Sequence, residues 1–260
     1  MKSKVAEALK LKYFPVAVIH TNEKPDNAVE FTQGRRGCVP FLLKAAGSGK
    51  TGVFSRETYG CIGGGTGLGF GNTYVNFPGG IEYFLSTGNK EFCQTEQGKM
   101  IAQKMPHLQD GEGYLKSPEI AENFIKQLPV VDIPYEYVVY KPLKDVKEGE
   151  KVKLVVFLAN PDQLSALCIL ASYNRPTRDN VVSYFGAGCH QTCLMPYQEC
   201  EKEYPKAIIG LTDISVRKVF DKDILSFTVP YKMFLELEDN ANDSNVFLYK
   251  HEWQEILKRN

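Results

Sequence analysis

The sequence carries no excess of either charge: lysine plus arginine and aspartate plus glutamate both total 31 in 260 residues. No net field draws in nucleic acid or an anionic membrane, and neither is expected as a partner. Long apolar runs are also missing. The opening "MKSKVAEALKLKYFPVAVIH" spreads lysines through a short apolar stretch broken by Pro15, so it reads as neither a secretory signal nor a membrane span. The expectation is a cytoplasmic protein, in which seven cysteines serve as thiols or metal ligands rather than disulfides.

Several motifs that such a chain might hold are incomplete. There is no C-x-x-C, which removes the common zinc and thioredoxin-type signatures. "AAGSGKTG" approaches a phosphate loop but has Lys44 where glycine is required, and it follows a helix instead of opening one, leaving Lys50 as a turn lysine. "CHQTCLMP" begins like a three-cysteine cluster motif and ends on Pro196. His20, His107 and His251 show no metal spacing, and no Ser-His-Asp or paired-carboxylate arrangement stands out.

What is present is an order of elements that occurs twice. "FPVAVIH" reads as a buried strand, "CVPFLLKAA" as a helix opened by Pro40, and "TGVFSRETYGC" as a strand ending on Gly60 and Cys61. Later, "KVKLVVFLA" is a strand and "NPDQLSALCILAS" a helix capped by Asn160, with Leu164, Leu167, Cys168 and Ala171 on one face. "NVVSYFGAGC" is then a strand ending on Gly188 and Cys189. This predicts an α/β fold, or mixed α+β, in a single unit spanning 1–260, with pseudo-symmetric strand-helix-strand halves over 14–71 and 152–210. The symmetry would bring Cys61 and Cys189 to equivalent strand ends, where open α/β sheets build their sites. Between the halves lies a polar helical stretch with a start at Ser117 and Pro118, and further helices are expected near 231–238 and 247–258.

Cys38, Cys61 and Cys189 each follow glycine. Cys38 lies behind Arg35 and Arg36 at a helix start, where guanidiniums and the helix dipole would lower its thiol pKa and offset the charge of a bound group. Behind Cys61 comes "IGGGTGLGFG", read as a glycine loop in which Gly63, Gly64, Gly65 and Gly67 let the backbone approach a cluster or an anion. Three thiolates amid crowded N–H groups suit an iron–sulfur cluster. Cys193, four residues after Cys189, could share its helical face as a fourth ligand, and His190 is an alternative. Cys168 belongs to an apolar face and the core.

"GRRGC", "ETYGCIGGGTGLGFG", "NPDQLSAL", "GAGC", "IIGLTDISVR" and "FTVPYKMF" together resemble the ArCR family, a domain of unknown function, over residues 10 to 240. The resemblance implies that Cys38, Cys61 and Cys189 occupy the family's recurring cysteine positions, that Cys193 does not, and that the setting is anaerobic metabolism. The resulting expectation is a 4Fe-4S cluster on Cys38, Cys61, Cys189 and optionally Cys193, with a redox or small-molecule handling role. A small molecule or an electron-transfer protein would be its partner. The alternatives are a metal-free thiol enzyme with an activated cysteine and a non-catalytic ligand-binding module.

Overall fold

The computed structural model describes residues 1–34, 37–244 and 251–259. The chain begins α1 (Lys4–Ala8), β1 (Val16–Thr21), α2 (Val39–Gly47), β2 (Gly52–Ser55) and α3 (Ile62–Leu68). A run of short helices follows: α4 (Ile81–Phe84), α5 (Lys90–Gln94), α6 (Glu96–Ala102), α7 (His107–Asp110) and α8 (Pro118–Lys126). The rest comprises β3 (Tyr137–Pro142), β4 (Val152–Ala159), α9 (Pro161–Ser172), β5 (Val181–Val182), a π-helical segment (His190–Leu194) running into α10 (Met195–Tyr197), β6 (Ala207–Gly210), α11 (Ile214–Arg217), β7 (Leu225–Pro230), α12 (Tyr231–Asp243) and a last helix, His251–Lys258. No helix among the described residues is long and apolar enough to cross a membrane.

The strands form one seven-stranded sheet in the order β2-β3-β1-β4-β7-β6-β5. Every pairing is antiparallel except β5 with β6. β4 lies at its centre and is apolar on both faces, which is why "KLVVFLA" reads as an unbroken hydrophobic run. Val155, Phe157 and Ala159 face one core with α9 and α12, while Leu154, Val156 and Leu158 face the other with α2. The fold is thus mixed α/β with helices on both faces of a mostly antiparallel sheet.

The pseudo-symmetry of the two halves does not carry into the sheet. Only β3 separates β1 from β2, whereas β7 and β6 both separate β4 from β5. α2 and α9 also pack into opposite cores, so the recurring strand-helix-strand order builds two different arrangements. The second expected strand of the second half shrinks to Val181–Val182, and the chain from there to Cys189 lies outside the sheet.

The caps follow the sequence closely. Asn160 Oδ1 accepts from Gln163 N, and Asn160 N donates to Gln163 Oε1, both at 2.9 Å, with Pro161 opening α9. The Gln163 amide then donates to the carbonyls of Leu9 and Lys10, tying α9 to the N-terminal helix. Asn160→Ala removes the box and is expected to cost about 1 kcal/mol in chemical denaturation.

His20, on β1, is buried beside the rings of Tyr135 and Tyr197, and neither ring nitrogen has a hydrogen-bond partner. Burial, then the nearby Lys153 charge, lowers its pKa from 6.5 to about 4. The unfolded chain therefore binds this proton first as pH falls, so the stability present above pH 6.5 is lost between there and about pH 4. The loss is on the order of 3 kcal/mol for this residue, and His20→Phe should flatten that part of the stability–pH curve.

Candidate functional site: a cysteine-walled cavity

Cys38 is the N-cap residue of α2, with extended backbone at φ −123° and ψ 131°. Cys61 caps α3, its Sγ accepting from Gly64 N at 3.3 Å. Cys189 precedes the π-helical segment, and its Sγ donates to the Gly63 carbonyl at 3.3 Å. All three line one cavity of about 580 Å³.

The glycine before each cysteine has a packing reason. Gly60 has φ +91°, and a Cβ there would lie 2.9 Å from the Gly37 carbonyl and from the Phe31 ring. A Cβ on Gly37 would fall inside the same ring, at 2.4 Å. The two Gly-Cys turns therefore touch backbone to backbone over Phe31, which makes Cys38 and Cys61 neighbours. Gly188 packs against Pro40 of α2 and Val216 of α11, and its N–H donates to Asp213 Oδ2 at 3.1 Å. That fixes the third turn against the first.

The stretch read as a glycine loop is a helix. Ile62–Leu68 is α-helical and ends at Gly69 in the left-handed region, φ +88°, where glycine avoids the Cβ penalty. Of the expected cofactor-binding glycines, only Gly63 lines the cavity. Gly64, Gly65 and Gly67 are buried and let α3 approach its neighbours: their Cβ positions lie 2.7 Å from the Tyr59 carbonyl, 2.6 Å from Thr73 and 2.5 Å from Cys189 Sγ. Arg35 and Arg36 lie outside the described residues.

Cys193 is not at the cavity wall. It sits one turn further along than Cys189, buried beside Tyr140 of β3, and burial pushes its thiol up to about 12. Sharing a helical face with Cys189 puts it deeper over the sheet, where Tyr140 occupies the space. Cys38 departs from expectation in a different way. Its thiol is pushed up to about 12, first by burial and then by Cys61 and Asp213, instead of being lowered by a helix start. Cys189 is raised well above the ordinary thiol value by burial, then by Cys61, Cys38 and Asp213. The thiols thus act on one another, and a carboxylate adds to the same negative field. Among the described residues, no group of three or more His, Cys, Asp or Glu is arranged to hold a metal ion.

The rest of the wall comes from two sources. One is polar: Asp213, which caps α11 through Ser215, and a buried pair in which Tyr74 Oη lies 2.9 Å from His190 Nε2. Burial lowers the His190 pKa to about 4 and raises that of Tyr74 well above its usual value, so both stay neutral. The other is apolar and comes from α4, α8 and their flanks, including Phe77, Phe84, Leu115 and Phe124. Tyr74 and this wall carried no motif; the hydrophobic spacing near α8 was the only local signal.

Fold and site together define a mixed α/β protein with a cysteine-walled, largely apolar cavity. The profile of a family described as "Uncharacterised ArCR" matches residues 4–240. The chain belongs to that family. No curated protein and no solved structure matches the chain.

Two outcomes follow from this geometry. In metal-free protein, Cys38 and Cys189 should alkylate with iodoacetamide far more slowly than free cysteine at pH 8, with rates rising only as the pH approaches the raised thiol values. A fast, stoichiometric reaction at either thiol would contradict the burial described. Gly67→Ala gains roughly 1 kcal/mol of helix propensity but drives a methyl onto buried Cys189, a clash costing about 1–3 kcal/mol. A net loss of stability, measured by denaturant unfolding, is expected.

Proposed function

We propose that Cys38, Cys61 and Cys189 hold a four-iron cluster at the cavity wall, and that the protein uses it in redox chemistry or in handling a small molecule bound beside it. The observation that carries this reading is the meeting of three sequence-distant cysteines on one cavity, each on a turn thinned by glycine. A cluster distributes its cysteine ligands over several irons, so its ligands can come from three separate turns.

The donor set suits such a group. Cys38 and Cys189, raised by burial and by the neighbouring thiols, need a cationic centre to ionise at neutral pH, and Gly64 N–H already points at the Cys61 sulfur. Held by Cys38, Cys61 and Cys189, a cluster would supply one-electron or Lewis-acid chemistry at the cavity wall. The chain's own part is to hold the thiols, exclude water with the apolar wall, and fix the Gly188–Cys189 turn through Asp213. The raised thiol of Cys38 weighs against an activated cysteine nucleophile in the metal-free protein. An oxygen-poor cytoplasm would protect a cluster placed beside a cavity.

The test is anaerobic purification with iron and sulfide analysis and a visible spectrum. Wild type should carry about four irons per chain and absorb in the visible. Cys61→Ser should lose both, and Cys193→Ser should keep them. Colourless, iron-free wild type would overturn the cluster and leave the cavity as a non-catalytic ligand site.

A further inference from the structure

Residues 75–130, which carry α4 to α8, are bonded chiefly to themselves. Among the described residues, every backbone hydrogen bond they make stays within 74–130. Asn89 N donates to Leu108 O at 2.7 Å, Glu112 N to Phe84 O at 2.8 Å and Leu115 N to Leu85 O at 3.0 Å, which ties the short helices to one another. Neither sheet core includes a residue of this segment, whose apolar side chains gather in the separate cluster around Ile81 and Leu128. A segment built in this way can move against the sheet without breaking its own bonds.

It also leaves and re-enters the chain at one place. Phe70 pairs antiparallel with Asp132, Gly71 N donates to Val131 O at 3.0 Å, and Ile133 N donates to Gly69 O at 2.8 Å. Gly69 and Gly71 have φ +88° and +81°, the left-handed region, so the outgoing arm turns sharply within the pairing. Arg56, from the turn after β2, clamps this stem to the body. Its Nη2 reaches Asp132 Oδ1 and Ile133 O, both at 2.8 Å, and its guanidinium lies 5.3 Å from the centre of the Phe70 ring. Thr73 and Tyr74 are held by Thr66 and His190, so the free part of the segment starts at Val75, which is 74 % exposed.

The cavity lies between this segment and the rest of the protein. Phe77, Phe84 and Phe124 come from the segment, whereas the cysteine turns, Phe185 and Asp213 belong to the body. The two sides meet where Phe124 of α8 packs edge-on against Phe185, ring centroids 5.3 Å apart, and where Tyr114 lies beside Ser215. A cavity divided between two units changes width when one of them turns, and loops or domains that close on a ligand commonly work this way.

We infer that residues 75–130 form a hinged lid, which swings about the stem made by 69–71 and 131–133 to admit a small molecule to the cysteine wall and then covers it. The inference adds a route of entry to the proposed function. It rests on the cavity and the stem, whatever group the thiols hold.

The experiment is labelling of individual thiols by N-phenylmaleimide in the full chain, reduced and freed of metal by a chelator, with each cysteine followed by mass spectrometry. Cys38 and Cys189 line the cavity, whereas Cys193 is buried off it and reports loosening of the whole chain. Arg56→Met unclamps the stem, and Phe185→Leu removes the ring contact with the lid while keeping an apolar side chain in place. Neither Arg56 nor Phe185 is among the groups that shift the two cavity thiols, so their ionisation is left as it was. Each variant should speed Cys38 and Cys189 about fivefold, what losing one ordinary hydrogen bond or aromatic pair does to an opening equilibrium. Cys193 should keep its wild-type rate. Unchanged rates at Cys38 and Cys189 in both variants would overturn the lid, and so would Cys193 rising in step with them, since the whole chain would then be opening. Iron-free wild type from the anaerobic purification would sink the cluster reading and leave the lid standing; unchanged labelling would do the reverse.

Discussion

Two backbones touching where no side chain fits set the geometry of the site. Gly60 stands against the carbonyl of Gly37, with the Phe31 ring filling the space that any Cβ on either residue would need. This contact decides the separation of the Cys38 and Cys61 turns, and hence of the helices α2 and α3 that start from them. α3 in turn carries Gly67, whose missing side chain admits Cys189 Sγ. Cys38 and Cys61 are thus located by an approach between main chains, and Cys189 by the fit of its side chain against the bare backbone of α3. Main chains are stiffer than side chains, so the arrangement holds without disulfides or a bound group.

That rigidity has an electrostatic counterpart. Cys38, Cys61 and Cys189 share a wall with Asp213, and the thiols that are raised are raised first by burial and then by one another. Thiols separated on flexible loops would move apart when ionised; these are held by packed glycines and cannot. Raised in this way, Cys38 and Cys189 stay protonated and uncharged at neutral pH, on the same cavity as the phenylalanine wall.

Legibility in the sequence followed the range of the interactions. The strand β4 and the caps at Asn160 and Ser117 are local, and residue order alone located them. The family was legible too, because its motifs are short and dense. α3 was not: three consecutive glycines argue against a helix, and only tertiary packing at Gly64, Gly65 and Gly67 overrides their low propensity. The raised thiol of Cys38 was misjudged in sign, since helix-start arguments are local and burial is not. The symmetry is not seen in the sheet because strand order depends on where β7 inserts, outside the repeated segment, and on β6, at the very end of it. Tyr74 and His190 lie 116 residues apart and meet only in the fold.

The apolar wall is made of helices only four to nine residues long. Helices of that length do not persist in water by themselves, so their order is borrowed from the small cluster around Tyr74, Ile81, Leu128 and Met195. That cluster shares the cavity wall with the cysteines, through Tyr74, Ile81 and the rings packed on them. Ligand affinity and the local folding of this segment are then two measures of one equilibrium: part of the binding energy is spent as order in the wall, and the segment's hydrogen-exchange protection reports occupancy at a distance from the thiols.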